Sequence, residues 1–337
     1  MLPTVLGTVI AVQANFYQVQ LLSGQQLLCT KREKLKKIGT KVMVGDVVTI
    51  AEWQSERGVV TAVADRRNEL DRPPIANVDC IMLVFALAEP AIDPLLLSRF
   101  LVKAESTEIS VALCLNKCDL LAEADQAQWI DRLKAWGYPP LLISTRTGAG
   151  LAELQQQLQG RTTVLAGHSG VGKSSLINQL IPDLGLRVAA VSGKLNRGRH
   201  TTRHVELFNL PMGGLIADTP GFNQPDLTCY PTDLPNYFPE IRSQLPSNCQ
   251  FNDCVHQGEP GCVIDREWER YPHYLEFLAE AVSYQQQANK QGQPDAQWKQ
   301  KTNKLEPLLA AKRYRRVSRR SQTQGLPDLT DDSTEDD

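Results

Sequence analysis

Gly167-His168-Ser169-Gly170-Val171-Gly172-Lys173-Ser174 fills every fixed position of GxxxxGK[ST]. The apolar run 163–166 precedes it, and an amphipathic stretch opening at Ser174-Ser175-Leu176 follows it. The sequence therefore predicts a strand, a tight loop and a helix, the context in which this motif cradles phosphate. Glycines let the loop curl until successive N–H groups converge, and the helix N-terminus adds positive potential. In such a loop Lys173 reaches the β- and γ-phosphates and the Ser174 hydroxyl ligates Mg²⁺. Contacts are expected from Gly167, His168, Ser169, Gly170, Val171, Gly172, Lys173, Ser174 and Ser175.

Around this loop, apolar runs at 81–88, 111–115, 141–143, 164–166 and 215–217 alternate with helix-like stretches at 94–105, 126–136, 151–158 and 174–180. Alternation of this kind predicts a doubly wound, mostly parallel α/β sheet buried on both faces. Upstream, five short runs (8–12, 16–21, 26–30, 46–50 and 59–63) are divided by turn formers such as Ser23-Gly24 and Gly45-Asp46. They predict a small all-β barrel for which an OB-fold is the natural choice, with an SH3-like barrel left open. Downstream of 226 the chain is rich in Pro, Asn and Cys, then reads as helix over 266–287 and as a helix fraying into a polar tail from about 290. The expected organisation is multidomain: an OB-like barrel at 1–72, a P-loop domain at 73–225, a zinc-binding α module at 226–290, and a helical or disordered charged tail at 291–337.

The nucleotide base is read from Asn116-Lys117-Cys118-Asp119, placed where the run 111–115 ends. It matches NKxD. The Asp119 carboxylate can accept from N1–H and the 2-amino group of guanine, whereas adenine offers neither donor and would leave it desolvated. Asn116 would tie this segment to the phosphate loop, and the stem of Lys117 would pack over the base. Ser144 and Thr145 fit the guanine loop. Asp218-Thr219-Pro220-Gly221 matches DxxG, with Asp218 facing Mg²⁺ and the Gly221 N–H facing the γ-phosphate. Gly198-Arg199-His200-Thr201-Thr202 occupies the place of a first switch, and Thr201 or Thr202 completes the Mg²⁺ shell; the sequence does not choose between them. Phe222 stands where many GTPases carry a water-orienting Gln. Slow intrinsic hydrolysis is therefore expected, with His200 either the water-positioning catalytic group or a structural or RNA-facing residue.

These motifs make GTP hydrolysis the expected activity, in a permuted order with guanine recognition ahead of the phosphate loop. Joined old termini and a cut elsewhere give the same sheet, and switch II then leads directly into the C-terminal module. A P-loop ATPase with an incidental NKCD, and a GTPase acting on another RNA or protein, are the competing readings.

Cys249, Cys254, His256 and Cys262 follow as C-x4-C-x-H-x5-C. Three thiolates and an imidazole suit one structural, tetrahedral Zn²⁺ that staples a loop-rich segment. The remaining cysteines read as buried or incidental. Net charge is −2, so nucleic-acid affinity is suggested only locally, by Lys31, Arg32, Lys34, Lys36 and Lys37 and by the basic run between Lys312 and Arg320. No stretch approaches the roughly 18 apolar residues of a membrane helix, and the N-terminus lacks a signal-peptide pattern. Free thiols and no export signal lead to the expectation of a cytoplasmic protein without membrane association.

Together, GxSGVGKSS at 167–175, GRHTT at 198–202, DTPGF at 218–222 and FxDCxHxxEPGC at 251–262, preceded by a five-stranded barrel, resemble the RsgA family of small ribosomal subunit biogenesis GTPases, the circularly permuted YjeQ/YloQ type. The resemblance covers nearly the whole chain. It implies a cytoplasmic GTPase, a monomer when free, with one zinc and with Mg²⁺ accompanying GTP. It also implies binding to the small ribosomal subunit and its 16S rRNA late in maturation, stimulation by that subunit, and help in releasing an assembly factor. The acidic run at 331–337 is not something the family pattern requires.

Overall fold

A computed structural model of the chain describes residues 4–54, 56–71, 73–185, 205–218, 225–244, 249–251, 253–290, 298–301 and 304–307. His200, Thr201, Thr202, Gly221 and Phe222 lie outside the described residues. Residues 1–281 form one compact unit and residues 282–337 a second.

Strands β1 (Val5–Gln13), β2 (Phe16–Leu21) and β3 (Gln26–Lys31), helix α1 (Glu33–Ile38), and strands β4 (Val47–Gln54) and β5 (Arg57–Val63) build the N-terminal barrel. Its closed order is β1-β2-β3-β5-β4, with β3 and β5 parallel. A crossover of that kind, with a helix between β3 and β4, is the OB arrangement, which settles the barrel type that the sequence leaves open. Alternation along each strand turns Val9, Val19, Leu27, Cys29, Val48, Ile50 and Val60 inward into the barrel's own core. A short hairpin, β6 (Glu69–Asp71) with β7 (Pro74–Ala76), follows. The division expected between 72 and 73 falls inside it, because the proline pair that reads as a linker is the hairpin's turn and first strand residue.

The sheet domain adds β8 (Cys80–Ala86), α2 (Pro94–Glu105), β9 (Ser110–Asn116), α3 (Glu123–Ala135), β10 (Leu141–Leu142), α4 (Leu151–Leu158), β11 (Thr162–Ala166), α5 (Lys173–Leu180), β12 (Leu207–Asn209) and β13 (Leu215–Asp218). Strand order is β10-β9-β8-β11-β13-β12, parallel except for the antiparallel edge strand β12. All seven residues of β8 are buried, as a central strand covered on both faces requires. The chain lays β8, β9 and β10 outward in one direction, then returns to seat β11 on the other side of β8. The order thus reverses between β8 and β11, and the crevice at the carboxyl ends of these strands is where such sheets bind ligands.

The C-terminal part of the first unit contains α6 (Pro239–Arg242) and the first half of α7 (Tyr271–Lys290), which continues past residue 281. Phe238, Ile241, Tyr274, Phe277 and Leu278 form its core with Val102 of α2. Ionic groups fasten it to the sheet domain. Arg99 of α2 reaches Glu280 at 2.6 Å and Glu276 at 3.1 Å. Glu269 accepts from Arg132 Nε at 2.6 Å and Trp136 Nε1 at 2.8 Å, and Arg242 pairs with Glu105 at 2.8 Å. At the centre, the fully buried Arg270 donates to both Glu240 carboxylate oxygens (2.7 and 2.5 Å) and lies over Trp136, Tyr138 and Phe238. The module that follows switch II in sequence therefore rests on α2 and the end of α3. In the tail, Trp298–Lys301 and Lys304–Pro307 pair as antiparallel strands where the sequence predicts a helix fraying into a tail; the rest of 291–337 lies outside the described residues.

A guanidinium buried without its carboxylate is costly. Glu240→Ala should lower unfolding free energy by about 3–5 kcal/mol in urea titrations followed by tryptophan fluorescence, and Arg270→Met combined with Glu240→Leu should recover most of the loss.

Candidate functional site: a phosphate loop, a guanine loop and a cysteine–histidine cluster

Each sheet motif sits at the carboxyl end of a parallel strand. Asn116 ends β9, Ser144 follows β10, Gly167 follows β11, and Asp218 ends β13. The phosphate loop closes against the sheet so tightly that side chains are excluded. Gly167 has φ +142°, and a Cβ there would lie 2.1 Å from the Val84 carbonyl oxygen of β8. Gly172 has φ +98°, and its Cβ would lie 2.4 Å from Asn116 Nδ2. That amide is the junction of the two loops: Asn116, 1% exposed, donates through Nδ2 to Val171 O at 2.9 Å. Its Oδ1 accepts from the backbone of Lys117 at 2.8 Å and Thr145 at 3.2 Å.

Lys173 is buried inside the loop, its ammonium on Gly167 O at 2.6 Å and His168 O at 3.0 Å. Burial pushes its pKa down, and the charge of Asp218 opposes that shift. Lys173 and Asp218 are thus close enough for their opposite charges to interact. Ser174 and Ser175 open α5, and His168 and Ser169 are exposed at the loop's rim.

On the guanine side, Ser144 is fully buried and donates to Asp119 Oδ1 at 2.5 Å, while its own oxygen accepts from the backbone of Thr147 at 3.1 Å. Arg146 pairs with Asp119 Oδ2 at 2.7 Å. The Ser144 hydroxyl first, and then the Arg146 charge, hold the Asp119 carboxyl below the usual carboxylate range and keep it an acceptor. Gln126 of α3 braces the turn by donating to Cys118 O at 2.8 Å and Leu121 O at 3.0 Å. Lys117, at φ +62°, reaches the Glu89 carbonyl in the loop after β8. Arg146 and Gln126 are absent from the sequence reading; Arg146 adjoins Ser144-Thr145, whereas nothing in the sequence marks Gln126. Cys118 is buried, consistent with a packing role.

In the C-terminal module, His256 Nδ1 lies 3.7, 3.5 and 3.6 Å from the sulfurs of Cys249, Cys254 and Cys262, and all four ligand atoms fall within 4.8 Å of one another. Tetrahedral Zn²⁺ with Zn–S of about 2.3 Å and Zn–N of about 2.0–2.1 Å places sulfur and nitrogen about 3.6 Å apart, so the donor set fits. His256 is buried at φ +57°, and burial favours its neutral, ligating form. The knuckle is held from outside. Glu259 accepts from the backbone of Val255 and Gln257, Tyr271 donates to His256 O at 3.1 Å, and Tyr274 donates to Val255 O at 2.5 Å. The other five cysteines are buried and free.

Fold and site define a circularly permuted P-loop GTPase joined to an OB barrel and a metal-binding module. Residues 63–228 match the family model described as RsgA GTPase. The small ribosomal subunit biogenesis GTPase RsgA of Trichormus variabilis is 54% identical, over 96% of each chain. The crystal structure of YjeQ from Thermotoga maritima superposes with a TM-score of 0.73 at 31% identity, covering 83% of this chain and 99% of that one. YloQ, described as a circularly permuted GTPase, gives 0.70 at 33% identity, covering 83% of this chain and 96% of its own. The chain belongs to the RsgA GTPase family and is a GTP-hydrolysing enzyme. No helix among the described residues is long and apolar enough to cross a membrane.

Gly172→Ala forces a Cβ onto the Asn116 amide and a non-glycine residue into the left-handed region. Affinity for a fluorescent GDP analogue should fall by roughly tenfold or more, and wild-type affinity in that titration would contradict the junction described here.

Proposed function

We propose that this GTPase acts on the small ribosomal subunit late in its assembly, gripping 16S rRNA through its barrel (1–72) and metal module (226–290) and hydrolysing GTP in response to the bound subunit, with release of an assembly factor as the outcome. The name of the Trichormus relative, at 54% identity over 96% of the chain, carries this reading most directly. The architecture supports it, since OB barrels and zinc modules are common RNA-binding devices and here they flank a nucleotide switch.

In the sheet domain, Asp119 reads guanine, with Ser144, Thr145, Asn116, Lys117 and Cys118 shaping the pocket. The loop from Gly167 to Ser175 wraps the phosphates, with Lys173 turning from its backbone partners to the β- and γ-phosphates. Ser174, Asp218 and one of Thr201 or Thr202 hold Mg²⁺, Gly221 senses the γ-phosphate, and His200 positions the attacking water. One structural Zn²⁺ sits on Cys249, Cys254, His256 and Cys262. The protein works in the cytoplasm as a free monomer that docks on its subunit.

Purified small subunits should raise the rate of GTP hydrolysis by the full chain on the order of tenfold or more, and large subunits should not; unchanged hydrolysis with small subunits refutes the assignment. Elemental analysis of the purified chain should find about one zinc per molecule. Cys254→Ser should remove it and expose the segment around 249–262 to protease.

A further inference from the structure

The barrel and the sheet domain share a strand contact that the family's chemistry does not call for. Strand β1 carries a β-bulge: Val9 pairs with Val19 and Ala11 with Gln18, so Ile10 is the extra residue. Val9 stays in the barrel core, whereas Ile10, 3% exposed, belongs to the core cluster of the sheet domain together with Val205, Leu207 and Ala217. Bulges re-aim side chains in this way. The next residue, Ala11, forms an antiparallel bridge to Glu206, immediately before β12. In the β12–β13 register Leu207 faces Ala217, the last pair, and Glu206 and Asp218 are the residues next to that pair on their two strands. On its other side Asp218 faces Leu165 of β11, the strand that leads into the phosphate loop. One row of backbone pairings therefore runs from Leu165 to Asp218, steps across at the adjacent Ala217–Leu207 pair, and continues through Glu206 to Ala11 of the barrel.

We infer that this row couples the nucleotide site to the barrel: rearrangement at Asp218 when GTP replaces GDP shifts Glu206 and, through the Ala11 bridge and the Ile10 plug, the β1 face of the barrel. By linkage, RNA bound to the barrel shifts nucleotide affinity by the same factor. The inference rests on reading Asp218 as the Mg²⁺-side residue. It directs the signal to the N-terminal barrel, whereas the ionic clamps hold the C-terminal module on α2 and α3.

Hydrogen exchange of the full chain, with GDP and with a non-hydrolysable GTP analogue, tests it. Amides of β1 should differ in exchange rate by about fivefold or more between the two states, while β2–β3 amides change little. Glu206→Pro, which alters the backbone at the bridged position, and separately Ile10→Ala should each shrink the β1 difference. Both should leave affinity for the fluorescent nucleotide within about twofold, the range expected where no site contact is touched. Equal β1 exchange in the two states, in samples shown to bind both nucleotides, overturns the inference and leaves the GTPase assignment standing. A β1 difference that survives both substitutions also overturns it, since the signal would then travel by another route. Loss of all nucleotide binding in the wild-type chain would instead indict the site assignment itself.

Discussion

The parallel pairing of β11 with β8 is the contact on which the rest depends. The permuted chain finishes β8, β9 and β10, with their guanine-side loops, before the phosphate-side strand exists. Only when β11 returns across β8 do the two half-sites meet. The pairing runs from Thr163–Cys80 to Ala166–Leu83, and at its end Gly167 lies so close to Val84 that a side chain has no room. From there the loop turns under Asn116, whose amide closes the junction. The Asn116–Asp119 segment and the phosphate loop are held in fixed relation by one strand pair and one side chain, whichever half is made first.

Much of this was legible in the sequence because the motifs are local. The phosphate loop, Asn116–Asp119, Asp218 and the cysteine–histidine ligands occupy short windows whose spacing reflects their chemistry, and the apolar runs between them marked the core strands to within a few residues. Several features were not legible. β12 is three residues long and antiparallel, too short for a periodic signal. The β6–β7 hairpin hides in a proline pair that reads as a linker. Arg99 meets Glu280 across 181 residues, and charge pairs of that separation leave no local trace. Barrel type depended on which strands pair, and five alternating runs do not encode pairing.

The C-terminal module shows how sequence order and mechanical order diverge. It follows switch II along the chain, yet it is fastened to α2 and the end of α3 by Arg99, Arg132, Arg242 and the aromatic box around Arg270. Its metal knuckle is in turn pinned by Tyr271 and Tyr274 from α7. These ionic contacts orient the module on the guanine-side helices, whereas the barrel meets the opposite edge of the sheet. The sheet thus carries two modules, one fastened by ion pairs, the aromatic box around Arg270 and an apolar core shared with Val102, the other by a backbone bridge and a buried isoleucine.

That bridge has a bearing on colloidal behaviour as well. A parallel sheet open at both sides presents unpaired backbone groups that invite pairing with another molecule. Here one margin ends in β10, only two residues long, and the other in β12, three residues long and met by β1 at Glu206. The barrel therefore covers part of that edge: at Glu206, β1 occupies backbone that a neighbouring strand could otherwise pair with.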